Sequence, residues 1–267
     1  MSLAALRASL ARAAVGLATI ACCLAATQLG EAGAATVTYR NLVLHAVGGF
    51  QPQRLPRKAF APISFQGEVD FSTRNGVGRP VALTEAVIDF DRDGRLEVAG
   101  LATCAAAQIA ALGTAEARAA CGGAIVGDGL LEALVEAAPG AAPTLLTAPL
   151  TLFNGPEEAG HPSAVFHANL GAPANQTFAL TAPIERIRGR YRYRVTLHIP
   201  PIAGGLGSLT RIRVNIGRRF KAGGQPRSYV SAHCSDSILQ TRGRFTFADG
   251  TIIDGFVEKF CRAESSR

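Results

Sequence analysis

Between residues 37 and 260, apolar and polar side chains alternate in about ten short runs, and Gly, Pro, Asn or Asp separates one run from the next. Successive side chains of a strand point to opposite faces, so a period of two describes strands with one buried and one wet face. The runs at 37–44, 63–71, 83–90, 145–153, 164–170, 191–199, 210–216, 228–234, 244–247 and 251–260 read as strands. Asp93-Gly94 and Asp249-Gly250 read as hairpin turns between such runs. The pattern predicts an all-β fold, an antiparallel β-sandwich of jelly-roll or Ig-like type. Residues 104–121 depart from it: Ala105, Ala106, Ala107, Ile109, Ala110 and Ala111 favour a helix that Gly113 stops, and Thr114 is placed to cap a second short turn.

Arg7 and Arg12 precede an uncharged, mainly apolar run at 13–26, and small residues follow at 32–35. That is the layout of a signal peptide cleaved after Ala34 or Ala35, too short for a spanning helix. Residues 36–267 then form one domain, with a possible subdivision near 154–162, and the mature chain is secreted or held in the cell envelope. Cys22 and Cys23 sit in a poor lipobox. Cys104, Cys121, Cys234 and Cys261 remain, an even number that implies disulfides in an exported chain. Three connectivities are open; the one that closes the two shortest loops pairs Cys104 with Cys121 and Cys234 with Cys261. Closing a loop of the first size contributes roughly 3 kcal/mol in the chain-entropy model. No pair has the spacing of a zinc site.

The segments LPRKAFAPIS (55–64), DGRLEVAGLATC (93–104), CGGAIVGDG (121–129), IPPIAGGLGSLT (199–210) and RSYVSAHC (227–234) resemble an uncharacterised family of secreted, β-rich, four-cysteine proteins from high-GC actinobacteria. The resemblance implies export, a shared β-rich fold and four matching cysteine positions. That family has no assigned activity, so no catalytic residue is carried over.

The formal net charge is +7, and 24 of the 27 basic residues are arginine. The densest basic run is 185–195, where Arg186, Arg188, Arg190, Arg192 and Arg194 alternate with Ile187, Gly189, Tyr191 and Tyr193. On one strand these guanidinium groups share a face at roughly 6.6 Å spacing. Arg211 and Arg213 repeat the pattern, and if the two strands pair, Arg188, Arg190, Arg192, Arg211 and Arg213 form a basic plate. Its expected partners are an anionic envelope polymer or lipid headgroups. The competing account is a solvated strand face neutralised by carboxylates on adjacent strands. Nucleic acid fits poorly with export and with so few aromatic residues, four Tyr and no Trp.

Asp89, Asp91, Asp93 and Gly94 match the start of a calcium loop, but Gly100 stands where its bidentate Glu belongs and Arg92 and Arg95 neutralise the carboxylates, so a polar-faced Asp-Gly hairpin is the favoured account. Neither 160–164 nor 205–209 is a nucleophile elbow, and a triad of Ser208 with His198 has no local support. Whether His161, His167 and His233 converge is a tertiary question. No cofactor or metal is implied. The expected function is that of an exported, non-catalytic binding or structural protein; the alternative is a secreted hydrolase whose site assembles only in three dimensions, recognised by a deep pocket holding a His and a carboxylate.

Overall fold

The computed structural model describes residues 33–264. The signal-peptide reading falls almost wholly outside the described residues, of which Gly33 is the first. In chain order the elements are β1 (Ala34–Tyr39), β2 (Leu42–Gln51), β3 (Arg54–Leu55), β4 (Ala61–Pro62), β5 (Ser64–Thr73), β6 (Leu83–Asp91), β7 (Gly94–Leu96), α1 (Ala106–Ile109), α2 (Thr114–Ala120), β8 (Ile125–Val135), β9 (Thr144–Glu158), β10 (His161–Leu170), β11 (Gln176–Arg186), β12 (Tyr191–His198), β13 (Gly207–Ile216), β14 (Arg219–Ala222), β15 (Gln225–Ser228), β16 (Val230–Ala232), β17 (Ile238–Phe247), β18 (Ile252–Phe260) and β19 (Arg262–Ala263).

Twelve strands join in one sheet, in the order β1-β2-β5-β13-β8-β9-β10-β11-β12-β6-β17-β18, antiparallel throughout. The fold is all-β, with the short helical insertion closed by a disulfide. The two layers expected of a sandwich are halves of this one sheet, which curls until β18 touches β1 and β2. The curl follows from the alternation: β5 turns Phe65, Gly67, Val69 and Phe71 inward, while Glu68 and Asp70 form ion pairs with arginines of β13. A one-residue slip would exchange these faces, so burial and charge together set the register.

The join is a seam. Among the described residues no backbone hydrogen bond links β18 to β1 or β2; side chains span the gap, and a Cβ on Gly48 would meet Val257 Cγ1 at 3.4 Å. Ile252, Phe256 and Phe260 lie exposed along β18 beside it.

The two ends of the barrel are closed differently. Four strands separate β12 from β13, so their connection must cross one end, and it carries Ile202 inward to 4% exposure. The Gln176 side chain pins this plug, donating to Pro201 O at 3.2 Å and accepting from Ala203 N at 2.8 Å. Phe71, Val135, Leu170 and Phe247 pack the same end to 2% exposure or less. The opposite end is capped by a small sheet, β4-β16-β7, over Phe50, Leu55, Ile63 and the Cys234–Cys261 disulfide. The Cys104–Cys121 disulfide holds α1 and α2 on the outer face, where Ile109 and Ala117 cover Phe153 and Val165. The N-cap of α2 is Gly113, with Thr114 inside the helix, and the Glu116 carboxylate accepts from Gly113 N at 3.0 Å.

Several strand expectations need correction. Residues 37–44 straddle a hairpin, because Arg40 takes φ 53° and splits β1 from β2. Asp93-Gly94 is a corner, not a hairpin turn: β7 leaves the large sheet and pairs with β16 in the cap. Asp249-Gly250 does close the β17–β18 hairpin, with Gly250 at φ 80°. Strands β8 and β11 have no counterpart among the expected runs. Gly127 and Gly129 obscure the alternation of β8, yet both are needed: a Cβ on Gly129 would lie 1.9 Å from Arg213 O, so β13 crosses too close for a side chain.

Two outcomes follow. Gly129→Ala should lower stability by about 2 kcal/mol or more, since backbone on β13 must shift to admit the methyl group; an unchanged denaturation midpoint would refute the close approach. In native-state hydrogen exchange, amides of β1 and β18 should exchange well before those of β8, β9 and β10, because the seam lacks a ladder. Uniform protection around the sheet would show that the seam is zipped in solution.

Candidate functional site

Beyond the plugged end, side chains that point inward are no longer fully buried. Val69, Ile88, Leu131, Phe166, Leu180 and Val214 face the middle of the barrel and keep accessible surface there. The space they line is a cavity of about 330 Å³ that runs from the Ile202 plug to the cap. Small residues, Ala46, Gly67, Ala86, Gly243 and Gly255, are among those that line it and leave it space. An eight-stranded barrel is about as wide as its own side chains can fill, and twelve strands exceed that.

The lining is apolar almost throughout. Polar groups gather at the capped end, where Asp91, Arg95, Ser231, Gln240 and Lys259 join the wall. No histidine lines the cavity. His167 is fully buried with Nε2 3.0 Å from Leu112 O, fastening the helical insertion to β10. His161 is exposed at the start of β10. His233 packs edge-on to Phe60, its Nδ1 3.4 Å from Asp93 Oδ2 but outside hydrogen-bonding geometry. Among the described residues no three potential ligands gather as a metal site. Ser208 accepts from Arg79, 3.2 Å away, while exposed His198 faces Glu85 at 3.3 Å, so the two take no part in a triad.

The calcium-like aspartates have three separate structural roles. Asp89 lies between Arg194 and Arg242 on the two neighbouring strands and accepts hydrogen bonds from both. Asp91 is 5% exposed and joins the cavity wall at the capped end, where it accepts from Asp93 N and Gln240 N at 2.9 Å each. Asp93 accepts from Ser235 N and Oγ and ties the corner to the cap. Burial opposes ionisation of Asp89, but the two arginines outweigh it and hold the carboxyl below the usual range. For Asp91 burial prevails over the hydrogen bonds and raises its pKa.

The basic plate does not form, because β12 and β13 are not neighbours; β8, β9, β10 and β11 lie between them. Arg211 sits opposite Asp70 and Glu132 and pairs with both, and Arg213 sits opposite Glu68 and pairs with it. Arg190 pairs with Asp91 and Asp236. Arg192 lies over the Phe60 ring with Cζ 5.3 Å from its centroid. Arg188 is exposed in the β11–β12 connection. Neutralisation by adjacent strands accounts for most of the face.

What the sequence reading missed is a second basic cluster beside the cap. A groove of about 620 Å³ is walled by the β14–β15 hairpin on one side and by β7 and β16 on the other, and it holds Arg95, Arg219, Lys221 and Arg227 against the single carboxylate of Glu97. Arg219, Lys221 and Arg227 fall in one basic stretch, 218–227, that the sequence reading passed over for the denser run at 185–195, and only Arg95 joins them from a distant part of the chain. Comparison with protein-family models, with curated proteins and with solved structures finds no match, and the functional reading rests on geometry.

Substitution Asp89→Asn should destabilise the protein by about 1–2 kcal/mol at neutral pH, a charged hydrogen-bond loss discounted for the solvent around both arginines. Because the folded pKa is depressed, the contribution of Asp89 is full above the ordinary Asp range and is lost as pH falls through the depressed value. Urea titrations of variant and parent should therefore converge below about pH 4; a gap of constant size down to pH 3 would show that the ion triple is not its source.

Proposed function

We propose that the protein is an exported, non-catalytic binding protein that carries an apolar ligand inside its barrel. The observation that carries this reading is the cavity of about 330 Å³ with an apolar wall. Its size is in the range of small-molecule sites, roughly 300–1,000 Å³. At about 24 cal/mol per Å³, a dry cavity of this volume would cost on the order of 8 kcal/mol, comparable with the whole stability of a typical domain. Water offsets little of that, since it needs two to four polar partners and the middle of the barrel offers almost none. An apolar ligand restores the missing contacts, which gives the wide barrel a physical purpose.

The exterior agrees with a carrier working in water. A membrane-spanning barrel turns apolar side chains outward, whereas here Glu68, Asp70, Asp89, Arg194, Arg211 and Arg213 form ion pairs on the outer face. Among the described residues no helix is long and apolar enough to cross a membrane. Two disulfides suit an oxidising compartment, and envelope lipids are the apolar molecules a secreted chain meets there. A hydrolase is less well supported: the deep pocket holds a carboxylate but no histidine.

The test is uptake of a neutral apolar dye, N-phenyl-1-naphthylamine, whose fluorescence rises in apolar surroundings. The parent should bind it with one saturable site, and Ala86→Trp, which fills the cavity and adds a tryptophan to a chain that has none, should weaken binding about tenfold or more without lowering the melting temperature. Absence of saturable binding by the folded parent would sink the carrier reading.

A further inference from the structure

We infer that the ligand is an anionic amphiphile, held with its chain in the barrel and its charged head in the basic groove at the cap. The inference rests on the carrier reading and specifies the ligand class for that site. Arg95 and Ser231 line both the cavity and the groove, so the β7–β16 pair is the wall that the two spaces share, and the inferred ligand passes from one to the other beside it. The two residues sit directly opposite each other on β7 and β16, which makes the cap the rim between an apolar interior and a charged exterior.

The charges on the rim are unbalanced. Arg95 and Arg227 share Glu97, the only carboxylate among the residues lining the groove. Arg219 and Lys221 have no carboxylate within 4 Å among the described residues. Four cations thus face one anion, whereas Arg194, Arg211 and Arg213 on the outer face each have a cross-strand carboxylate. Phe60 keeps Arg95 and Arg192 in place, with their Cζ atoms 5.5 and 5.3 Å from its ring centroid. The guanidinium groups are positioned beside the cap by a ring that neutralises neither of them.

A carboxylate or phosphate at the rim accepts hydrogen bonds from these forks, and an alkyl chain attached to it runs into the apolar wall. A neutral head would leave the surplus positive charge unmatched, and a cationic head would add to it.

The experiment is displacement of N-phenyl-1-naphthylamine from the full-length secreted protein by four ligands of equal chain length, each below its micellar concentration: dodecyl phosphate, dodecanoate, dodecanol and dodecyltrimethylammonium. At low salt, dodecyl phosphate or dodecanoate should bind about tenfold or more tightly than dodecanol, the worth of one charge-assisted hydrogen bond, with the ammonium weakest. The ranking of the two anions separates a phosphate-headed from a carboxylate-headed ligand. In Arg219→Gln/Lys221→Gln/Arg227→Gln, three groove residues that do not line the cavity, the advantage of the anions should fall below about threefold while dye affinity stays at the parent value, and exposed Lys221→Gln alone should remove part of it. Equal binding of the anions and dodecanol, or an advantage that survives the triple substitution, overturns the head-group assignment and leaves the carrier standing. Failure of the folded parent to take up the dye overturns both.

Discussion

The number of strands in the curled sheet governs the rest of the molecule. Twelve strands, each with its apolar face turned inward, enclose more volume than their side chains fill, and the surplus must be plugged, capped or occupied. Each solution is used at a different height. The connection from β12 to β13 sends Ile202 into one end, the sheet β4-β16-β7 covers the other, and the cavity lies between. The position of the site is thus set by where packing stops, and its apolar character by the same alternation that builds the wall.

Charge on the outside follows from the same geometry. Arg211 and Arg213 meet carboxylates across the ladders on both sides of β13, and Asp89 is shared by arginines from both sides of β6. Partly exposed pairs of this kind add little stability individually. Their value lies in register, because shifting a strand by one residue would bury the charges and expose the apolar face. At the cap the balance differs: Arg95 and Arg227 share Glu97, and Arg219 and Lys221 have no carboxylate within 4 Å among the described residues.

Much of the strand pattern was readable from the alternation, and the points where reading failed have definite causes. Gly127 and Gly129 break the pattern of β8 because Asn215 and Arg213 of β13 approach within 2.5 and 1.9 Å of where a Cβ would stand. Asp93-Gly94 has the residues of a hairpin turn, yet the chain departs there to build the cap, a choice made by Val230 and Ser231 far along the sequence. In each case a contact remote in sequence overrides a correct local signal.

The sequence by itself determined the all-β class and the helical insertion, because alternation and helix propensity are properties of neighbouring residues; it left three cysteine connectivities open, and the structure has the one that closes the shortest loops. Strand order, the curl of the sheet and the meeting of an apolar cavity with a basic rim were decided only by tertiary structure. The arginines show why. Arg211 and Arg95 are alike in sequence, and only the partner strand makes one a neutralised wall residue and the other part of an unbalanced rim. A side chain carries its charge from the sequence, but what balances that charge depends on which strands the fold brings beside it.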